Sequence, residues 1–138
     1  GQVRMSNVIA TLPGTRPDRL VLASHFDTKI APNFRFLGAN DGASSTAALL
    51  EIGRVLAGRP RQFTIELLFL DGEEAVNWNW EGIDNTYGSR YYVEAAQRDG
   101  LAVANVTDLQ VHAGRGLEGR VGGRRIAIGS SVKRSMRT

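Results

Sequence analysis

Residues 63–70 read FTIELLFL, the strongest strand pattern in the chain, and DGEEA follows at 71–75. A second apolar run, LVLAS at 20–24, also ends at a polar residue, His25. Both runs are predicted to be strands, and LVLAS is expected to be buried on both faces of a sheet. Between them, ASSTAALLEIGRVL at 43–56 has apolar residues at helical spacing. Strand, helix and strand in this order predict a βαβ crossover, and therefore an α/β fold whose mixed sheet is parallel at its centre.

Further elements are predicted around this unit. They are a strand at 7–12, a helix at 87–100, a strand at 101–106 and a hairpin at 117–128 that turns at two glycines. Within the helix at 43–56, Ala47, Leu50 and Val55 are expected to lie broadly on one side.

The composition is that of an ordinary globular protein. The chain has 138 residues, of which 42% are hydrophobic and 22% charged, and it contains no cysteine. Disulfides, thiolate metal sites and cysteine nucleophiles are therefore excluded, and any metal must be held by His, Asp or Glu. No run approaches the roughly 18 consecutive apolar residues of a membrane-spanning helix, so no membrane association is expected. Residues 1–10 lack the pattern of a secretory signal.

The net charge of +3 is unevenly distributed. Residues 1–104 hold 10 Lys and Arg against 12 Asp and Glu, and residues 105–138 hold 7 against 2. This change divides the sequence into a partial α/β domain at 1–104 and a Gly/Arg-rich hairpin tail at 105–138. The arginines of the tail are scattered among glycines, with no aromatic residue to stack on a base, so no nucleic-acid partner is expected.

Candidate functional residues follow the predicted strands. They are His25 and Asp27 after the first run, Asp41 before the central helix, and Glu73 and Glu74 after the second run. Because ligands gather outside the carboxyl ends of parallel strands, one crevice is expected to collect these side chains. Imidazole and carboxylate groups bind zinc, which makes His25, Asp41 and Glu74 candidate ligands. Glu73 is then free to act as a base, because adjacent side chains leave the backbone in different directions.

Each of these residues also has an ordinary structural interpretation. His25 can be a polar residue that ends a strand, and Asp41 can be the N-cap of the helix that follows. Glu73 and Glu74 can lie in a solvated loop. The metal-site interpretation is favoured because all of these residues fall at the ends of sequential parallel strands.

Three ordered blocks carry a resemblance to a known family. They are LVLASHFDTK at 20–29, FLGANDGASSTAALLEIGRVL at 36–56 and IELLFLDGEEA at 65–75. The chain resembles the zinc exopeptidase family of aminopeptidases and glutaminyl cyclases over about residues 3–98. The segment VNWNWEGIDNTYGSRYY at 76–92 is similar to the tryptophan-bearing insertion of the cyclase branch. The resemblance implies the phosphorylase/hydrolase-like α/β fold of that family in a truncated form, because the family's catalytic domain is longer than this chain.

The resemblance also implies roles for individual residues. Asp41 and Glu74 match zinc ligands, and Glu73 matches the general acid/base. His25 matches a ligand of the second zinc in the two-metal aminopeptidases. Asp27 matches a supporting residue that orients a ligand.

The reaction implied by the cyclase branch converts an N-terminal glutaminyl peptide to a pyroglutamyl peptide and releases ammonia. In the reaction that the resemblance implies, zinc would polarise the γ-carboxamide carbonyl, while Glu73 would take a proton from the α-amine and pass it to the departing ammonia. Trp78 or Trp80 would line the pocket for the glutaminyl side chain, unless they only anchor an exposed loop. In a zinc aminopeptidase, Glu73 would instead activate a metal-bound water against the first peptide bond. A truncated or recombined module without catalysis is the third hypothesis.

The tail departs from the family pattern. The family's C-terminal histidine ligand is missing, and Asp108 and His112 are the available substitutes for its later acidic and histidine positions. The stretch at 106–131 is similar to the glycine-containing part of the nucleotide-binding domain in heavy-metal P-type ATPases, where Gly114 and Gly116 would match glycines near the nucleotide. A plain β-hairpin is the alternative interpretation.

Two further expectations concern assembly and location. A truncated sheet exposes an edge that a second copy can cover, so a homodimer is a hypothesis. The family resemblance implies an extracytoplasmic or secreted protein whose substrate is a peptide N-terminus.

Overall fold

The computed structural model describes residues 3–101, 105–112 and 116–129. The chain forms two compact units that divide after Ala95, and each unit is described by itself. Gly114, and residues 102–104 of the strand predicted at 101–106, lie outside the described residues. Within the described ranges, no helix has the length and apolar character that crossing a membrane requires.

The first unit is built on a three-stranded mixed sheet. Its strands are β1 (Val8–Leu12), β2 (Arg19–His25) and β3 (Thr64–Leu70), in the order β1-β3-β2. β2 runs parallel to β3, with Leu22 opposite Leu67, whereas β1 runs antiparallel to β3. The prediction of a mixed α/β sheet with a helical crossover between parallel strands is therefore confirmed.

The crossover helix α1 spans Ala43–Leu56, which is the range predicted from the sequence. Gly58 follows with a φ of 69°, a left-handed conformation that glycine commonly adopts just after a helix. A Cβ on Gly53 would lie 2.9 Å from Leu67 Cδ1, so this glycine allows α1 to approach β3 closely.

The side of α1 on which Ala47, Leu50 and Val55 are predicted to lie is not the buried face of the helix. Ala47 and Val55 are exposed, and Leu50 is 61% exposed. The core consists of Leu49, Leu67 and Phe69, with Leu12, Ile52 and Ile65 packed against it. Successive helical residues are rotated by about 100°, so the three-residue spacing of Leu49 and Ile52 defines the buried face and leaves Leu50 on the flank.

The expectation that LVLAS is buried on both faces is also wrong. Leu20, Val21 and Leu22 are 49%, 42% and 38% exposed, and Ser24 is the buried residue of the run. The physical reason is that, among the described residues, β2 pairs with β3 alone, so the part of the strand away from β3 is less covered by other elements. β3 has strands on both sides, and its residues Glu66–Phe69 are consecutively buried, as a strand covered on two faces requires.

A buried carboxylate joins the sheet to the second helix, α2, which spans Tyr87–Arg98. Glu66 is 5% exposed, and it accepts hydrogen bonds from Arg19 Nη1 at 2.5 Å and from the Tyr92 hydroxyl at 2.8 Å. Because a buried charge is stable only when it is paired, these two partners make an acidic residue on the central strand tolerable. Side chains alternate between the faces of a strand, so Tyr92 attaches α2 to the face opposite α1.

The second unit contains its own three-stranded antiparallel sheet. The strands are β4 (Val106–His112), β5 (Gly116–Val121) and β6 (Arg124–Gly129), in the order β4-β5-β6. The hairpin predicted at 117–128 is confirmed, and it turns at Gly122 and Gly123, whose φ angles are 55° and 76°. Two consecutive residues with positive φ are the requirement of the type I′ turn that suits the twist of paired strands.

The strand predicted at 101–106 can be compared with the structure only at its described residues, Leu101, Asn105 and Val106. Leu101 and Asn105 lie outside the strands, and β4 begins at Val106. Val106 pairs with Val121, the last residue of β5, so β4 begins where the hairpin provides a partner strand.

Candidate active site

Polar side chains from three segments meet at the carboxyl ends of the parallel strands. His25 is the last residue of β2, Asp41 lies just before α1, and Glu73 follows β3. His25 Nε2 lies 3.1 Å from Asp41 Oδ1, and His25 Nδ1 lies 3.9 Å from Glu73 Oε2. The structure therefore brings together three residues that the end-of-strand argument placed in one crevice.

The imidazole ring of His25 is largely enclosed, with 15% of its side chain accessible. Its Nδ1 is buried and has no hydrogen-bond partner among the described residues, although Asp27 Oδ1 lies 3.6 Å away. A buried polar atom without a hydrogen bond costs free energy, so a group that bound Nδ1 inside the cluster would stabilise the structure. The backbone of Gly42 packs against the ring, since a Cβ at this residue would lie 3.2 Å from His25 Cε1.

Asp41 is not the cap of α1. The N-cap position is occupied by Gly42, with a φ of 88°, and no side chain forms a cap hydrogen bond there. The Asp41 side chain is 61% accessible and contacts His25 Nε2. The ordinary interpretation of Asp41 as an N-cap is therefore wrong, and its carboxylate faces the cluster instead.

Asp27 fixes the pair of glutamates that follow β3. Its Oδ1 accepts the backbone N–H of Glu73 at 3.1 Å, and its Oδ2 accepts that of Glu74 at 2.9 Å. The role assigned to Asp27 from the sequence, orientation of a metal ligand, stays a prediction. The contact with the two backbone amides was missed because it depends on the path of the loop after β3, which no residue pattern specifies.

The start of α2 holds the other side of the glutamate segment. The backbone N–H of Thr86 donates to Glu73 O at 2.9 Å, and that of Tyr87 donates to Gly72 O at 2.8 Å. Thr86 has a φ of 50°, an uncommon conformation for a β-branched residue that persists where the surrounding structure holds it. Residues 72–74 are thus bound on both sides, and Glu73 projects from a fixed backbone.

Partial burial raises the pKa of Glu73 above its ordinary value. His25 opposes this effect and lowers the pKa of Glu73, whereas the nearby carboxylates of Glu74, Asp27 and Asp41 raise it. All five groups therefore interact electrostatically. A carboxyl group whose pKa moves toward neutrality is better suited to accept and return a proton at pH 7.

The predicted zinc ligands are Asp41, Glu74 and His25. Two carboxylates and an imidazole have the donor chemistry that zinc accepts, and a catalytic zinc ordinarily has three protein ligands. The contact between His25 and Asp41 brings two of these residues together. Within residues 3–101, 105–112 and 116–129, however, no group of three or more His, Asp or Glu residues is arranged to hold a metal ion. The described residues supply part of a donor set and do not fit a complete zinc site.

Trp78 and Trp80 lie in the irregular segment between β3 and α2, where they are 56% and 51% exposed. Asp84 holds this segment by accepting the backbone N–H groups of Val76 and Asn77. Sequence reasoning missed Asp84, although an aspartate close before a helix start is a known signal for hydrogen bonds to nearby backbone.

Asp108 and His112, the substitutes proposed for missing family positions, lie on β4 in the second unit. His112 Nε2 is 3.8 Å from Glu118 Oε1, and Asp108 Oδ2 is 3.4 Å from Arg120 Nε. Both contacts join β4 to β5. A role for either residue in a metal site stays a prediction.

Several known proteins are similar to this chain in sequence. The family model of peptidase family M28 matches residues 7–121. A glutaminyl-peptide cyclotransferase of Drosophila melanogaster is 36% identical over 105 residues, which cover 72% of this chain and 29% of that protein. A protein of Leptosphaeria maculans named "Probable zinc metalloprotease" is 41% identical over 78 residues, which cover 52% of this chain and 18% of that protein.

A solved structure supports the same relationship. The crystal structure of an Acidobacteriales bacterium glutaminyl cyclase is similar with a TM-score of 0.64 and 41% identity, covering 70% of this chain and 33% of that chain. The chain spans about a third or less of the length of these relatives. The family model nevertheless covers well over half of the chain, including β1 to β3 and the whole histidine and carboxylate cluster. The chain therefore belongs to peptidase family M28.

Proposed function

We propose that this chain carries the acid/base centre of a zinc-dependent glutaminyl-peptide cyclotransferase, which converts N-terminal glutaminyl peptides to pyroglutamyl peptides and releases ammonia. Similarity to glutaminyl cyclases in sequence and fold supports the proposal at the level of the family. The observation that carries it is the arrangement of Glu73. Asp27 holds the backbone of Glu73, and the Glu73 carboxylate lies beside His25 with 31% of the side chain exposed.

Cyclisation requires one proton to be moved within the substrate. The α-amine nitrogen attacks the carbon of the γ-carboxamide, a carbon–nitrogen bond forms, and the original carbon–nitrogen bond breaks as ammonia leaves. The Glu73 carboxylate takes a proton from the α-amine and donates it to the departing nitrogen, so the residue ends in its starting state. The raised pKa of Glu73 favours this role, because its protonated form is then less costly to form near neutral pH.

The zinc dependence is part of the proposal. Asp41 and Glu74 are proposed as carboxylate ligands, and His25 as a ligand or a neighbour of the metal. Trp78 or Trp80, both exposed in the segment after Glu74, is proposed to line the pocket for the glutaminyl side chain.

A zinc aminopeptidase is the second candidate. The family description and the relative named as a zinc metalloprotease favour it. Glu73 would then transfer protons during hydrolysis of the first peptide bond. The two activities give different products, since the cyclase releases ammonia and the aminopeptidase releases a free amino acid.

The test is a product analysis with zinc-supplied protein and an N-terminal glutaminyl tripeptide. The cyclase proposal predicts ammonia and a tripeptide that is lighter by one ammonia, whereas the aminopeptidase alternative predicts free glutamine. Glu73→Gln is expected to lose the activity, and Glu81→Gln, which changes an exposed acid in the neighbouring segment, is expected to retain it. If the wild type forms neither product, the chain is a module without catalysis and the proposal is wrong.

A further inference from the structure

Asp84 is the centre of a hydrogen-bond network in the segment between β3 and α2. Its Oδ1 accepts the backbone N–H of Val76 at 3.1 Å and the Tyr87 hydroxyl at 2.6 Å. Its Oδ2 accepts the backbone N–H and the side-chain Nδ2 of Asn77, both at 2.8 Å. The hydrogen bonds from the Tyr87 hydroxyl and from the backbone N–H of Asn77 are the main causes that lower the pKa of Asp84 to about 2. The carboxylate is therefore ionised at neutral pH, and all four hydrogen bonds are charge-assisted.

Lys29 binds the same stretch of backbone through its carbonyl groups. Its Nζ donates to Ala75 O at 2.7 Å and to Asn77 O at 2.5 Å. Asn77 is consequently held at its N–H, its side chain and its C=O. The next residue along the chain is Trp78, so the backbone that leads into this tryptophan is fixed.

This network is continuous with the backbone that carries Glu73. Lys29 lies two residues after Asp27, whose carboxylate binds the amides of Glu73 and Glu74. Tyr87, which donates its hydroxyl to Asp84, also donates its backbone N–H to Gly72, directly before Glu73. The same two segments thus hold both the proposed proton carrier and the approach to Trp78.

We propose that Asp84 and Lys29 are positioning residues that fix Trp78 relative to Glu73. The segment at 71–86 is longer than most connections in compact domains and would otherwise sample many conformations. Holding Trp78 in place before substrate arrives removes part of the ordering cost of binding. The assignment favours Trp78 over Trp80, because the fixed peptide group is the one that leads into Trp78. The effect on substrate rests on the proposed cyclase function, whereas the fixation of Trp78 does not.

The first test measures the mobility of Trp78 without any substrate. Trp78 and Trp80 are the two tryptophans of the chain, so in a Trp80→Phe background the fluorescence anisotropy reports on Trp78 alone. Asp84→Ala is expected to lower this anisotropy and to speed exchange of the two amides that Asp84 binds by about tenfold or more. Asp84→Asn, which keeps one acceptor oxygen, is expected to have a smaller effect. Glu81→Gln is the matched control from the same segment, and equal values for it and Asp84→Ala would overturn the proposal.

A second variant excludes general loss of the fold as the cause. Lys29→Met removes the hydrogen bonds on the carbonyl side without altering Asp84, and it is expected to mobilise Trp78 while amide exchange in β3 stays slow. Unchanged anisotropy in Lys29→Met would contradict the role of Lys29. Faster exchange throughout β3, in step with the loss of anisotropy, would mean that both residues only stabilise the fold and would also overturn the proposal.

The second test measures kinetics with an N-terminal glutaminyl tripeptide. Asp84→Ala is expected to raise KM by about tenfold while kcat changes by less than about threefold, because the tryptophan binds the substrate and does not take part in proton transfer. If Trp78 becomes mobile in Asp84→Ala while KM stays unchanged, Trp78 does not contribute to substrate binding, and that part of the proposal is wrong. A wild type that releases no ammonia would contradict the proposed function, and anisotropy and exchange would still decide whether Asp84 fixes Trp78.

Discussion

Substitution of Asp27 by alanine tests whether this carboxylate holds the two glutamates. Asp27→Ala removes both oxygens that accept the backbone N–H groups of Glu73 and Glu74, at 3.1 and 2.9 Å. A hydrogen bond to a charged group contributes about 1.5 to 3 kcal/mol, so the two bonds together contribute at least about 3 kcal/mol. Relief of the repulsion between Asp27 and Glu73 offsets part of this loss. We expect the free energy of unfolding to fall by about 2 to 3 kcal/mol.

Urea denaturation gives the measurement, together with amide exchange read by NMR. With an m-value of about 1.5 kcal/mol/M, the midpoint is expected to fall by roughly 1.3 to 2 M. The amides of Glu73 and Glu74 should exchange faster than those of β3. Asp18→Ala is the control, because Asp18 forms an exposed ion pair with Arg16 at 2.7 Å, and such a pair contributes under about 1 kcal/mol. The reasoning is refuted if Asp27→Ala unfolds at the same urea concentration as Asp18→Ala and leaves the exchange of Glu73 and Glu74 unchanged.

Three further outcomes are expected. Leu67→Ala empties the centre of the core and should lower the free energy of unfolding by about 2 to 5 kcal/mol in urea titration, whereas a loss under about 1 kcal/mol would contradict its central place. Tyr92→Phe removes one hydrogen bond to buried Glu66 and should cost about 1 kcal/mol in the same assay, and a neutral effect would show that the bond contributes nothing net. The lowered pKa of Asp84 means that its stabilising contribution is present above the unfolded pKa of about 3.8 and is lost as the pH falls through about 2. The anisotropy of Trp78, measured with Trp80 replaced by Phe, should therefore differ between wild type and Asp84→Ala by a constant amount from pH 7 to about pH 4, and the difference should shrink at lower pH. A difference that shrinks already above pH 5 would contradict ionised Asp84 as the group that fixes Trp78.

The sequence predicts the elements of the first unit well because their signals are local. The bounds of α1 follow from helical spacing between glycine-rich segments, and the apolar run at 63–70 corresponds to β3. Which face of α1 is buried is not local information. Leu50 and Leu49 are equally apolar, and only the position of the sheet beneath the helix decides that Leu49 enters the core. In the same way, the apolar run of β2 does not reveal that, among the described residues, this strand pairs with β3 alone.

The candidate site likewise has a part that the sequence predicts and a part that it does not. The sequence predicts that His25, Asp41 and Glu73 meet, because two parallel strands joined by a helix end at the same edge of the sheet. The structure has this arrangement, with His25 paired with Leu70 at the ends of β2 and β3. The hydrogen bonds of Asp27 and Asp84 are not predictable in this way. They depend on the path of residues 71–86, including the positive φ of Thr86, and no periodic pattern encodes an irregular segment.

The most direct test of the central claim is the rate of ammonia release from a saturating N-terminal glutaminyl tripeptide by Glu73→Gln, compared with the wild type. Glutamine keeps the size of the side chain and removes its ability to carry a proton. We predict that the rate falls by at least about 100-fold, the range expected for loss of a general acid/base, while the free energy of unfolding does not decrease. A wild type that releases ammonia and a Glu73→Gln variant that retains at least about a third of that rate would contradict the assignment of Glu73 as the proton carrier.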